Sequence, residues 1–147
     1  MSLYRRILVI VDLNDDSLAI GRRAQAIAAF CNSDLEFLHI VEIVPLEPVG
    51  ETLVPAVQIE DEMIDRARER LAAFAAELGQ PEAHCQVEVG NVKSDIVRIA
   101  QERNVDLIVL GSRERHGLSI LVNFTADTVL HAAPCDVLAV RVGVSGK

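Results

Sequence analysis

The sequence predicts an α/β fold, a five-stranded parallel sheet sandwiched by helices, and three observations predict it. Short apolar, β-branched runs alternate with amphipathic stretches of helical period along the whole chain. Half of the 147 residues are hydrophobic while aromatics reach only 3 %, so the interior must be built from Val, Ile, Leu and Ala, the mix of a sheet buried on both faces. The apolar runs also stop at small or polar residues, Asp12, Gly90 and Gly111, as strands do where they enter loops. At this length one core suffices, and residues 1–147 are expected to form a single domain.

The first strand is Ile7 to Val11, closed by Asp12. Beyond Leu13, the positions Ile20, Ala24, Ile27, Ala28 and Cys31 recur at spacings of three and four, which makes an amphipathic helix; Asn14 or Asp15 can cap it, and Asn32 with Ser33 can stop it. Leu35 to Ile43 is the second strand. Pro45, Pro48 and Pro55 then punctuate an apolar segment, Val44 to Val57, expected to be a loop over the sheet edge. From Ile59 the series Met63, Ala67, Leu71, Phe74 and Leu78 predicts the longest helix, ended by Gly79 and Pro81.

His84 to Val89 alternates as a strand, and Asn91 can cap a helix carrying Ile96, Ile99 and Ala100. Asp106 to Leu110 is the next strand. A loop of unusual composition, Arg113 to Gly117, precedes a helix through Ala126, Val129, Leu130 and Ala133, which Pro134 breaks before the last strand, Val137 to Val142. Strands alternating with helices imply right-handed crossovers and a parallel sheet. Ligands then bind beyond the carboxyl ends of the strands, where the winding reverses. Two segments are expected there, Asp12 with its loop and Gly111 to Asn123.

The charge sum of 14 basic against 22 acidic residues leaves −8 without a basic run, which argues against nucleic acid as a partner. No apolar stretch approaches the roughly 20 residues that span a bilayer, and Met1 to Arg6 lacks the layout of a signal peptide. The expectation is a cytoplasmic protein without a membrane partner. Cys31, Cys85 and Cys135 have neither metal-motif nor disulfide spacing and are read as reduced core thiols. His39, His84, His116 and His131 form no zinc pattern, so no metal site is expected.

Three stretches carry a resemblance: Tyr4 to Asp12 (YRRILVIVD), Val105 to Ser112 (VDLIVLGS) and Val129 to Val140 (VLHAAPCDVLAV). In this order and at these separations they resemble the universal stress protein family over nearly the whole chain. The resemblance implies an adenine nucleotide alpha hydrolase-like, Rossmann-like fold. It also implies adenine-nucleotide binding in one branch, ATP or AMP with Mg²⁺, and homodimers often formed through the last strand.

The nucleotide branch carries G-x2-G, about nine further residues, then G-[ST]. Here Gly111 matches the first glycine, Glu114 stands at the second, and Asn123 and Phe124 stand at the closing pair. Glycine-rich turns bind phosphate because they permit positive φ and expose amides at a helix N-terminus. Glu114 instead adds a carboxylate and Phe124 replaces a hydroxyl with a ring, while Arg113, Arg115 and His116 offer positive charge and Gly117 a shifted point of flexibility. The remnant nucleotide pocket is expected to comprise Asp12, Val41, Gly111, Arg113, Arg115, Gly117, Asn123 and Thr125.

Other readings stand beside these. Asp12 also reads as a turn or capping residue, Val41 as core, and the arginines as a solvated loop. Ser112 and Ser119 lack the G-x-S-x-G context of a nucleophile, so no catalytic residue is expected. In the last strand Val137, Ala139 and Arg141 oppose Leu138, Val140 and Val142, and an uncovered edge of that kind invites pairing with a second copy; the other reading is an edge protected by Arg141 and the tail from Gly143 to Lys147. The expectation is a non-enzymatic stress-response protein, homodimeric through its C-terminal strand and open to a regulatory protein partner, with weak or no ATP binding. The alternative is an ATP/AMP-binding switch that uses a modified loop. A third reading is slow nucleotide hydrolysis, with Asp12 organising a metal ion.

Overall fold

Successive side chains leave a strand on opposite faces, and in the inner strands that begin with Arg6 and Leu107 both faces are buried. The structure, a computed structural model, describes residues 3–42, 53–112 and 128–141. The strands are β1 (Arg6–Ile10), β2 (Asp34–Val41), β3 (His84–Val89), β4 (Leu107–Gly111) and β5 (Asp136–Val140). They form one sheet in the order β3-β2-β1-β4-β5, and every pairing is parallel. The helices are α1 (Ser17–Cys31), α2 (Leu53–Glu77) and α3 (Val92–Glu102), with a further helical stretch over 128–132. The order of elements is the alternation expected from the sequence.

The two faces of β1 show the layering. Ile7, Val9 and Val11 pack with Phe37, Ile20 and Ala24 of α1, and Leu71 and Phe74 of α2. Leu8 and Ile10 pack with Leu38 and Ile40, Ile96 and Ile99 of α3, and Val129 of the 128–132 stretch. Phe37 and Phe74 meet edge to face with ring centroids 5.4 Å apart, the arrangement favoured by the ring quadrupoles.

Helix ends follow local chemistry. Asp16 takes the N-cap position of α1 and makes no side-chain capping bond, contrary to the expected Asn14 or Asp15 cap. Asn14 contributes from two residues earlier, its Oδ1 accepting the Asp16 amide at 2.9 Å and the Ser17 hydroxyl at 3.2 Å. Asn32 ends α1 at φ 58°, its amide donating to the Ala28 carbonyl. Gly79 leaves α2 at φ 78°, where glycine carries no Cβ penalty, and Asn91 caps α3 by accepting the Ser94 amide at 3.1 Å.

Three expectations are corrected. α2 begins at Leu53, so residues 53–57 of the expected Val44–Val57 loop are helical. Pro55 lies in the first turn, where its missing N–H would lack an intrahelical acceptor anyway. Residues 44–52 lie outside the described residues. Met63, expected on the apolar face of α2, is 42 % exposed, and Leu130 is 58 % exposed although its neighbour Val129 is fully buried. Among the described residues, no helix is long and apolar enough to cross a membrane.

A charge cluster closes the amino end of the sheet. Glu36 of β2 is buried, with 4 % of its surface exposed. Its Oε2 meets Arg6 Nε of β1 at 3.0 Å and Arg103 Nη2 at 3.2 Å, and its Oε1 accepts from Arg103 Nε. The Arg6 guanidinium also donates to the Arg103 carbonyl, which ties β1, β2 and the residue that follows α3 together.

Candidate functional site

The chain winds from β1 outward to β2 and β3, then returns to the other side of β1 with β4 and β5. The winding therefore reverses between β1 and β4. Connections leaving two such strands diverge, and the gap between them is the natural ligand crevice of an open α/β sheet. Both expected segments begin there, one after β1 and one after β4.

Beyond β1, Val11 stays buried and its amide donates to the Leu38 carbonyl at 2.8 Å, extending the strand by one residue. Asp12 is exposed. The next residue, Leu13, has φ 61°, a left-handed conformation unfavourable for a residue with a Cβ. The Val11 carbonyl accepts from His39 Nδ1 at 2.7 Å, and the Leu13 carbonyl accepts from Arg70 Nη2 at 2.8 Å.

Gly111 is the last residue of β4. A Cβ there would stand 2.6 Å from Cδ1 of Ile20, so the missing side chain lets α1 close against this strand end. The Ser112 amide and hydroxyl both donate to the Val140 carbonyl, at 2.9 and 3.3 Å, which commits this hydroxyl to the β4–β5 junction. Val41 ends β2, buried, and its carbonyl accepts the Gly90 amide at 3.1 Å.

Asp12, Val41 and Gly111 thus occupy the carboxyl ends of three adjacent strands, with Val41 contributing to the packed interior as well. The other expected pocket residues, Arg113, Arg115, Gly117, Asn123 and Thr125, lie outside the described residues, as do Glu114, His116 and Phe124.

The thiols are half-buried and free of disulfides. Cys135 is pushed up to about 11, first by burial and then by the carboxylates of Asp136 and Asp106, and burial raises Cys85. Neither offers appreciable thiolate at neutral pH, but the expected core position is corrected: all three thiols are half-buried, and Cys85 and Cys135 pack against the core from its margin. Among the described residues, no group of three or more His, Cys, Asp or Glu side chains gathers as a metal site would require.

The family model described as the universal stress protein family matches residues 3–141. The chain belongs to the universal stress protein family. Universal stress protein A homolog 2 of Coxiella burnetii is 34 % identical over 143 residues, which cover 97 % of this chain and 98 % of that protein. Homolog 1 of the same organism is 35 % identical over 138 residues, 93 % of this chain and 96 % of that one. Among solved structures, the universal stress protein UspA from Lactobacillus plantarum superposes with a TM-score of 0.72 at 27 % identity, covering 94 % of this chain and 98 % of its own. Membership supports a role in the stress response.

Sequence reasoning missed His39 and Arg70, which grip the turn carrying Asp12, and the pairing of Glu36 with Arg6 and Arg103. The signal for the latter was a carboxylate inside an otherwise apolar strand, since a buried charge needs partners. For Arg70 no local signal exists, because it reaches a backbone carbonyl 57 residues away.

Proposed function

We propose that this universal stress protein is a non-enzymatic, cytosolic stress-response module that acts as a single-domain homodimer and binds ATP weakly or not at all. The observation that carries this reading is the sequence after Gly111, where Glu114, Asn123 and Phe124 replace the glycines and hydroxyl of a phosphate cradle. An acid at that position repels a triphosphate, and a ring offers it no donor. Regulation would then run through a protein partner rather than through nucleotide occupancy.

One observation favours a second reading, an ATP- or AMP-binding switch. Asp12, Val41 and Gly111 remain side by side at the strand ends, and Arg113 and Arg115 supply cationic donors in the adjoining segment. Slow hydrolysis with Asp12 organising Mg²⁺ is a variant of this switch. Calorimetric titration of the full chain with ATP and Mg²⁺ separates the two. No heat at millimolar nucleotide is expected, and micromolar binding would replace the first reading with the switch.

The homodimer rests on β5, an edge in the order of the described strands, with exposed Ala139 and half-buried Val137 and Leu138. Such an edge is satisfied by antiparallel pairing with a second copy. Sedimentation is expected to show twice the 16.0 kDa chain mass. Ala139→Lys, which sets two like charges near the two-fold axis, should shift the protein to monomer, and an unchanged dimer would place the interface elsewhere.

A further inference from the structure

The turn between β1 and α1 is held by side chains from two other elements. His39 of β2 donates to the Val11 carbonyl at 2.7 Å, and Arg70 of α2 donates to the Leu13 carbonyl at 2.8 Å. These carbonyls belong to the two residues that flank Asp12. A carbonyl only accepts, so the His39 ring carries its hydrogen on Nδ1.

Leu13 at φ 61° makes the arrangement informative, since a residue in this region persists only where its surroundings over-determine it. Local bonds settle the next residues. The Asn14 amide donates to Ser17 Oγ at 3.1 Å, the Asp16 amide to Asn14 Oδ1 at 2.9 Å, and the Ser17 amide to the Asn14 carbonyl at 3.1 Å. The Val11 and Leu13 carbonyls are gripped instead from β2 and α2.

We propose that His39 and Arg70 are positioning residues of the crevice, clamping the backbone on both sides of Asp12 so that its carboxylate stands at the mouth between β1 and β4. Of the two, Arg70 is exposed and its bond is charge-assisted, so it can be removed without opening the core. The value of this clamp to a ligand rests on the reading of the crevice as a degraded adenine-nucleotide site.

The test uses the full chain, Arg70→Met and Arg70→Lys, each also made with Glu114→Gly and Phe124→Ser to restore small residues in the loop. In ligand-free protein, Arg70→Met should speed hydrogen exchange of the Asp16 and Ser17 amides about five-fold, the weight of one such bond, while sheet amides keep their protection. In the loop-restored background it should weaken Mg²⁺–ATP binding by a similar factor. Arg70→Lys, which keeps a cationic donor, should recover most of both effects.

Unchanged turn exchange would overturn the proposal, and so would faster exchange spread evenly over the sheet. Weaker ATP binding with normal exchange would also overturn it, because that is simple attraction of the triphosphate by a nearby cation. If the loop-restored protein binds no ATP, the nucleotide reading falls, and the exchange comparison alone decides whether Arg70 holds the turn.

Discussion

Replacing Arg6 and Arg103 together with Met is expected to remove about 3–5 kcal/mol of folding stability, the cost of leaving a buried charge without its partners. Glu36 is the reason. Its side chain is 5 % exposed at the sheet's amino end, and both carboxylate oxygens are taken up by the two guanidiniums. The hydrogen bond to Glu36 also raises the Arg103 guanidinium above its ordinary value. For a domain of this size the loss corresponds to a midpoint lower by roughly 10 °C, at about 2–4 °C per kcal/mol.

The control for that experiment is a triple variant. Adding Glu36→Leu to the double variant should return most of the stability, because replacing a buried ion pair with apolar groups of similar size is often neutral or favourable. Arg103→Met alone should cost less than the pair, since Arg6 still meets Oε2 at 3.0 Å. Urea unfolding of the four proteins measures this series. A double variant within about 1 kcal/mol of the parent would mean that water reaches Glu36 and that the cluster does not anchor β1 to β2.

The inner strands were legible in the sequence because β1 and β4 are buried on both faces and read as nearly unbroken aliphatic runs, each matching expectation to within a residue at each end. The crevice was legible for a related reason. Alternating strands and helices imply a crevice beyond the carboxyl ends of the strands, while the observed strand order sets the reversal between β1 and β4, with Asp12 and Gly111 at the ends of those two strands. The start of α2 was not legible, because Pro55 reads as a breaker unless one knows that it occupies the first turn. Neither tertiary polar contact was legible in full. Arg103 reaches Glu36 across 67 residues and Arg70 reaches Leu13 across 57, and periodicity carries no information at such separations. Leu130 and Met63 show the converse limit, apolar residues in helical register that the fold leaves exposed.

Glu114→Gly combined with Phe124→Ser is expected to tighten Mg²⁺–ATP binding by between about tenfold and a thousandfold, measured by calorimetry against the parent chain. The upper bound is electrostatic. A carboxylate about 4 Å from a phosphate charge, at an effective dielectric near 20, is repelled by roughly 4 kcal/mol, close to a thousandfold in affinity. The lower bound applies where the Glu114 side chain swings into solvent, so that its removal mainly frees the backbone to turn amides toward the anion. Phe124→Ser adds a hydroxyl donor in place of a ring. Arg113 and Arg115 are common to both proteins, so the comparison reads the two substitutions alone. Asp12→Ala in the repaired chain should reverse part of it if the carboxylate after β1 touches the ligand. An affinity unmoved by the double substitution would locate the obstacle outside the turn after β4, and the weak-binding reading would lose the residues on which it rests.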